Sequence, residues 1–186
     1  MTKFREVTAQ ELIKKQQKGA LVIDVRPVDA YNGWKLEQEA RGGHIKGAKS
    51  LPAKWAGYMD WIEIVRHKEI DPSRELILYG YTPAEAQLVA ESFEKAGYSK
   101  IEVYNYFLQE WTEEDTLPME QLPRYRQLVP AQWVQDLISG KKPAEFENDK
   151  FVVVHAHYRN RDAYLSGHIP GAIDMDTNAL ESPETW

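Results

Sequence analysis

Three short apolar runs restrict this chain to one class of fold. They are Leu21-Val22-Ile23-Asp24-Val25, Leu76-Ile77-Leu78-Tyr79 and Ile101-Glu102-Val103-Tyr104. The first two are nearly continuous, the pattern of strands buried on both faces. Segments of helical period alternate with them. Thr8 with Glu11 forms a capping box, and the helix it opens ends near Gly19. Residues 53–66 place Trp55, Tyr58, Met59, Ile62 and Val65 at spacings of three and four, which predicts an amphipathic helix. Thr82-Pro83-Ala84-Glu85 opens a further helix with Leu88, Val89 and Phe93 on one side, closed by Gly97. Strand, helix and strand at these lengths imply right-handed crossovers and a parallel sheet. A buried parallel strand that runs onto a helix N-terminus is where such proteins place a nucleophile or cradle an anion. At that point the chain has Gly80, a residue with no side chain.

Composition narrows the chemistry. The chain has 186 residues, enough for one domain of ordinary size plus a remainder. It contains no cysteine, so disulfides, thiolate chemistry and cysteine-based zinc sites are excluded. A net charge of −6 argues against nucleic acid or an anionic membrane as partner. No apolar run approaches the ~20 residues of a membrane span. Met1-Thr2-Lys3-Phe4-Arg5-Glu6 lacks the apolar core of a signal peptide. The expectation is cytoplasmic by default, and exported if a leader was trimmed.

A prolyl stretch with Pro118, Pro123 and Pro130 follows the third strand, and residues 118–128 read as a linker between a domain at 1–117 and a segment at 129–186. The sequence then starts again. Val7-Thr8-Ala9-Gln10 is echoed by Val129-Pro130-Ala131-Gln132, and His44-Ile45-Lys46-Gly47-Ala48 by His168-Ile169-Pro170-Gly171-Ala172. Between them, Val22-Ile23-Asp24 is echoed by Val153-Val154-His155, and Asp29-Ala30-Tyr31 by Asp162-Ala163-Tyr164. Four checkpoints in order indicate a duplicated domain whose second copy is truncated. That copy has the first helix, the first strand and the turn, but no later strands.

Val22-Ile23-Asp24-Val25-Arg26-Pro27, then Tyr31, then Gly43-His44-Ile45-Lys46-Gly47-Ala48, resemble the entry motif of rhodanese-type sulfurtransferases. Leu76 to Gly97 resembles the family's active-loop strand and following helix. The resemblance covers about 5–115 as a full domain and about 129–186 as a partial one. It implies a central, mostly parallel five-stranded sheet flanked by helices, plus the start of a second copy. The insert beginning Tyr31-Asn32-Gly33-Trp34, Gly80 at the nucleophile position and the tandem arrangement are most similar to one subgroup. In that subgroup several such domains sit in a row and only the last carries the cysteine.

In the resembled family a loop cysteine takes a sulfane sulfur from thiosulfate or 3-mercaptopyruvate as a persulfide and passes it to an acceptor. That requires a thiolate stabilised by backbone N–H groups and a helix dipole. Gly80 cannot form a persulfide. The vestigial loop is Gly80, Tyr81, Thr82, Pro83, Ala84 and Glu85. Pro83 removes one N–H donor, and Glu85 at the third helical position lies near the free N–H groups. The loop reads as an ordinary capped helix rather than a residual anion site.

The other motif residues are expected to be structural: Asp24 and Arg26 holding loops by local pairing, and His44, Gly47, His168 and Gly171 as turn residues. His155, His157 and His168 with Asp174 and Asp176 suggest a metal site, but the motif already accounts for His168, and His155 replaces the family's aspartate. No metal and no cofactor are expected. Trp55, Tyr58 and Trp61 read as helix packing, with Trp61 a candidate for an interdomain face. Gly42-Gly43 and the charged residues of 32–42 suggest a flexible surface loop.

Two functions remain open. The chain is either the non-catalytic N-terminal part of a sulfurtransferase, inactive alone, or a binding, scaffold or regulatory module on the same fold. Expected partners are the remaining domains of the parent chain and a sulfur-acceptor protein or thiol. The exposed apolar strand Phe151-Val152-Val153-Val154 is expected to dock on the first domain, to pair with another copy, or to be disordered.

Overall fold

The computed structural model describes residues 3–181. The chain divides into two compact units, residues 1–129 and 130–186.

The first unit holds a five-stranded sheet in the order β1-β6-β5-β2-β4, every pair parallel. The strands are β1 (Arg5–Glu6), β2 (Leu21–Asp24), β4 (Lys49–Ser50), β5 (Leu76–Tyr79) and β6 (Ile101–Tyr104). The crossovers carry α1 (Ala9–Gln17), α2 (Val28–Asn32), α3 (Trp61–His67) and α4 (Pro83–Lys95). Both expected capping boxes form, Thr8 with Glu11 and Thr82 with Glu85. The all-buried β5 explains the unbroken apolar run: Leu76 and Leu78 face one core with Trp61, Val65, Val89 and Phe93. Ile77 and Tyr79 face the other with Leu12, Ile45, Phe107 and Trp111. Two closed faces suit a parallel sheet with helices on both sides.

The helix expected at 53–66 is two pieces. A 3₁₀ turn spans Ala53–Gly57, Tyr58 is extended, and α3 starts at Trp61. Gly57 lies at the break, where a helix gains least from continuing. Met59, counted on the apolar stripe, is wholly exposed. Trp61, a candidate for an exposed interdomain face, is buried edge-on against Phe93 at 5.1 Å.

Residues 118–128 pack on the first unit. β7 (Met119–Glu120) pairs antiparallel with β3 (His44–Ile45). Leu122 N–H donates to Asn32 O at 2.8 Å, and Trp34 Nε1–H to Leu128 O at 2.9 Å.

The second unit has α5 (Ala131–Ile138), β8 (Val154–His157), α6 (Arg161–Ser166) and β9 (Ile173–Asp176), with β8 and β9 parallel. The strand begins at Val154 rather than Phe151, whose ring packs on Phe146. β9 is a strand the sequence reading did not place in this segment. Local contacts recur between the units. Tyr31 Oη–H donates to Ala48 O at 2.9 Å and Tyr164 Oη–H to Ala172 O at 3.0 Å. The register Ile23↔Lys49 recurs as Val154↔Ile173, which puts His155 and His157 in the places of Asp24 and Arg26.

Candidate functional site

The site lies where β2 and β5 end. Gly80 follows β5 directly and is buried. A Cβ built on it would stand 2.9 Å from Glu85 Oε2, 3.0 Å from Val25 Cγ2 and 3.1 Å from Glu85 Cβ. The reason is Glu85. Its carboxylate accepts the N–H groups of Tyr81 at 2.8 Å and Thr82 at 3.0 Å, and Thr82 Oγ1 accepts the Glu85 N–H at 3.3 Å. Thr82, Pro83 and Ala84 are exposed and form the first turn of α4. Two of the N–H donors that could stabilise an external anion, those of Tyr81 and Thr82, are therefore taken by a carboxylate of the same helix, and that of Glu85 by the Thr82 hydroxyl.

Beneath the loop lies a buried charge cluster. Arg26 and Asp24 are both fully buried. Arg26 Nε–H donates to Asp24 Oδ1 at 3.0 Å, Nη2–H to Asp24 Oδ2 at 2.6 Å and to Gly43 O at 2.7 Å. The Arg26 backbone N–H adds a bond to Asp24 Oδ1 at 2.9 Å. Tyr79 Oη–H donates to Asp24 Oδ2 at 2.6 Å, and Tyr79 Oη accepts the Ile45 N–H at 3.0 Å. Nη1 of Arg26 makes no hydrogen bond; Glu39 Oε1 lies 3.7 Å away, an ion pair beyond hydrogen-bond reach. The guanidinium sits 4.0 Å from the Phe107 ring centroid and 5.2 Å from that of Tyr81, a cation–π setting that only a planar, weakly hydrated cation fits well. Burial pulls the Arg26 pKa down and is the largest single effect, but the charge and hydrogen bonding of Asp24 together with Tyr79 and Tyr81 outweigh it and hold the pKa above the ordinary value.

Glu39 and Arg41 were not singled out in the sequence. They come from the segment 32–42, expected as a flexible surface loop, and the structure corrects that reading. Glu39 is buried and accepts the Tyr81 hydroxyl. Arg41 donates to the carbonyls of Trp111 at 2.6 Å and Thr112 at 3.1 Å, and also to Glu114 and Leu117. Gly42 and Gly43 serve close backbone approach rather than mobility: a Cβ on Gly42 would lie 2.1 Å from Gly33 O, and one on Gly43, at φ +109°, 2.3 Å from Glu120 O. No periodicity marks Glu39 and Arg41, because their partners are distant in sequence: Tyr81 is 42 positions from Glu39, and Trp111 is 70 positions from Arg41.

His44 stacks on Tyr31 at 3.7 Å, and its Nδ1 bonds Tyr31 O at 2.7 Å. His168 does the same with Tyr164, at 3.9 Å and 2.9 Å. Gly47 and Gly171 follow at φ +75° and +81°, left-handed positions that favour glycine. The structure does not bring the histidines of the second unit to one centre. His157 Nε2 bonds Asp174 Oδ1 at 2.7 Å, while His168 bonds its own turn. Asp176 accepts the N–H groups of Arg159 and Asn178.

The cluster has an alkaline signature. Burial, and then the Asp24 carboxylate, raise the Tyr79 pKa well above 10.0; burial, and then the hydrogen bond to Glu39, raise that of Tyr81. Unfolded tyrosines ionise near pH 10 while these stay neutral, so their contribution to stability is intact below that pH and is lost as pH rises above it. Of the ten tyrosines, Tyr79 and Tyr81 are expected to ionise only with unfolding, together with Tyr104, whose pKa burial and then its hydrogen bond to Glu110 also raise. Phenolate absorbance should rise in a late step that coincides with loss of the circular-dichroism signal. Titration of all ten near pH 10 with the dichroism intact would contradict this.

The rhodanese-like domain family matches residues 8–114. Thiosulfate sulfurtransferase YnjE of Escherichia coli (strain K12) is 30% identical over 174 residues, covering 92% of this chain and 39% of that protein. An anaerobic ergothioneine biosynthesis enzyme from Chlorobium limicola, solved with its natural substrate trimethyl histidine, superposes with a TM-score of 0.92 at 55% identity; 98% of this chain covers 43% of that one. A variant of EanB in complex with ergothioneine covalently linked with a persulfide matches with the same TM-score, identity and coverage. The chain thus spans about two fifths of the length of these relatives. With the family pattern over more than half its length and a five-stranded parallel sheet to match, this chain belongs to the rhodanese-like domain family, which it shares with sulfurtransferases.

Proposed function

We propose that this chain is the non-catalytic N-terminal part of a longer sulfurtransferase built from tandem rhodanese-like domains. The persulfide-forming cysteine would lie in a domain outside residues 1–186. The observation that carries this reading is the loop after β5, where Gly80 stands at the nucleophile position and the Glu85 carboxylate fills the N–H cradle. A persulfide needs both a sulfur and those donors. The sulfur acceptor is of the trimethyl histidine class, a choice supported by 55% identity to the ergothioneine biosynthesis enzyme. Ergothioneine carries one sulfur that trimethyl histidine lacks, so the reaction class is transfer of a sulfane sulfur to an imidazole carbon. The first unit would support the catalytic part, with Asp24, Arg26, His44 and Gly47 in structural roles.

The test is sulfur transfer by the longer protein beside this chain, with thiosulfate, 3-mercaptopyruvate or a polysulfide as donor and cyanide or trimethyl histidine as acceptor. Turnover by the longer protein alone is the expected result. Silence of both with every pair would favour a scaffold role, and turnover by this chain would overturn the account of Gly80. Gly80→Cys tests the loop itself. It is expected to gain no sulfur by mass after thiosulfate treatment, because the new side chain meets Glu85 and Val25 and finds the donors taken. A persulfide on that single variant would show that the cradle is open.

A further inference from the structure

We infer that Lys68 is a site of covalent acylation, where a half-buried amine at the end of α3 takes the acyl group of a small acyl phosphate beside the Lys49 ammonium. The inference is independent of the sulfur transfer proposed above. Two ammonium-bearing side chains meet here. α3 ends at His67, Lys68 caps it, and Glu69 turns the chain away at φ +53°. Lys49, on the edge strand β4, donates to Lys68 O and, at 3.4 Å, to Glu69 O. Its charge is thereby held at the helix C-terminus, where a cation is favoured. Lys68 Nζ lies over the Trp55 ring, 5.6 Å from the centroid, near the outer limit of a cation–π contact.

What sets this lysine apart is the missing counter-charge. Among the described residues, Lys3, Lys15, Lys46 and Lys141 each lie within ion-pair distance of a carboxylate, and Lys68 does not. Trp55, itself packed against the core, shields one side of it. Desolvation, and then repulsion from Lys49, hold the Lys68 pKa below the ordinary lysine value. By contrast, hydrogen bonds to Glu94 and Glu75 hold those of Lys3 and Lys15 above it. A desolvated amine beside a second cation is how a lysine becomes a nucleophile near neutral pH.

The surroundings suit an anionic acyl donor. The charged and titratable groups around Lys68 are Lys49 on β4, Lys54 on the 3₁₀ turn, and Glu63, Arg66, His67 and Glu69 on or next to α3. The Glu63 carboxylate is taken by Arg66 at 2.6 Å. Lys49 and Lys54 attract the phosphate end of the donor. The neutral amine attacks the acyl carbon, the N–C bond forms, and the acyl C–O bond to phosphate breaks. Inorganic phosphate leaves with the electron pair, the amine proton goes to water, and nothing is oxidised or reduced. Acylation removes one of two charges that repel each other, so it costs the fold little.

Acetyl phosphate is the probe. This chain is treated with it from neutral pH to about pH 10, and peptide mass spectrometry gives an initial rate of acetylation for each lysine. At about pH 8, Lys68 should react about threefold or more faster than the exposed Lys18 and Lys95. Its rate should also level off at lower pH than theirs. A Lys68 rate no higher than theirs, or an identical pH profile, would overturn the inference. Lys49→Met should slow Lys68 by about twofold or more and leave Lys18 unchanged. An unchanged Lys68 rate in that variant, with the circular dichroism of the parent chain, would also overturn it. Should the variant fail to fold, the pH comparison on the unaltered chain decides alone.

Discussion

Arg26→Met is expected to lower the stability of the first unit by about 3–5 kcal/mol, the cost of breaking a buried ion pair by removing one partner. The side chain is fully buried, and so is Asp24. Methionine fills much of the same volume among Phe107, Tyr79 and Tyr81, so the loss reads the charge and hydrogen bonds rather than a cavity. What remains is Asp24 with only Tyr79 Oη–H and one backbone N–H as donors, Gly43 O without its donor, and Glu39 without the cation at 3.7 Å. Two buried carboxylates then face each other with nothing positive between them, and each unpaired buried group carries its full desolvation cost. Urea denaturation followed by tryptophan fluorescence measures the change. A loss below about 1 kcal/mol, the range of a surface pair, would show that the cluster is hydrated and that its description as a buried lock is wrong. Arg26→Lys is expected to recover only part of the loss, because an ammonium cannot reproduce the two-pronged contact with Asp24 and the bond to Gly43 O.

Gly43→Ala is the second large effect. Its φ of +109° strains any residue with a Cβ, and that Cβ would lie 2.3 Å from Glu120 O, a backbone atom that cannot rotate away. Left-handed strain alone costs about 1–2 kcal/mol, and forced overpacking adds about 1–3 kcal/mol, so a total of about 3 kcal/mol or more is expected. Gly97→Ala is the control. Gly97 has φ +92°, but nothing lies within 4 Å of a Cβ there, so only the strain is felt. Comparing the two urea midpoints isolates the close approach. Gly43 proving no more sensitive than Gly97 would mean that the 34–42 segment is free to shift. Limited proteolysis should also show new cleavage at 34–42 in Gly43→Ala, since the register of β3 with β7 helps set Glu39 and Arg41 in place.

How far this fold was legible in the sequence depended on whether partners were local. The capping boxes at Thr8 and Thr82 were readable because donor and acceptor sit three residues apart. The strands β2 and β5 were readable because burial on two faces leaves a nearly uninterrupted apolar run, and β6 because a short β-rich segment follows the helix at Gly97. The turn residues His44 and His168 were readable because a short segment recurs. By contrast, the stripe at 53–66 implied one helix where the chain makes two pieces, since spacing cannot weigh Gly57 against packing. Trp61 was read as helix packing with an exposed interdomain face as a further candidate, and the packing reading holds: its ring is held inside by Phe93, a residue thirty-two positions on. The segment 32–42 looked mobile because charge and glycine usually mean solvent and freedom. Here Glu39 and Arg41 turn inward, while Lys35 and Glu37 stay exposed, and the glycines allow backbone to touch backbone.

The sequence by itself determined that this chain makes no thiolate chemistry, that a helix starts at Thr82 with its own carboxylate cap, and that the sheet is parallel. These depend on residue identity and on contacts within one turn of the chain. Only the tertiary structure decided that the same carboxylate closes the loop at Gly80, and that Arg26 is enclosed by Asp24, Glu39 and three aromatic rings. Tyr79, Tyr81, Glu39 and Phe107 reach Arg26 from separate strands, loops and helical turns. The cluster exists because the parallel sheet brings those ends together and burial raises the strength of every charge it encloses.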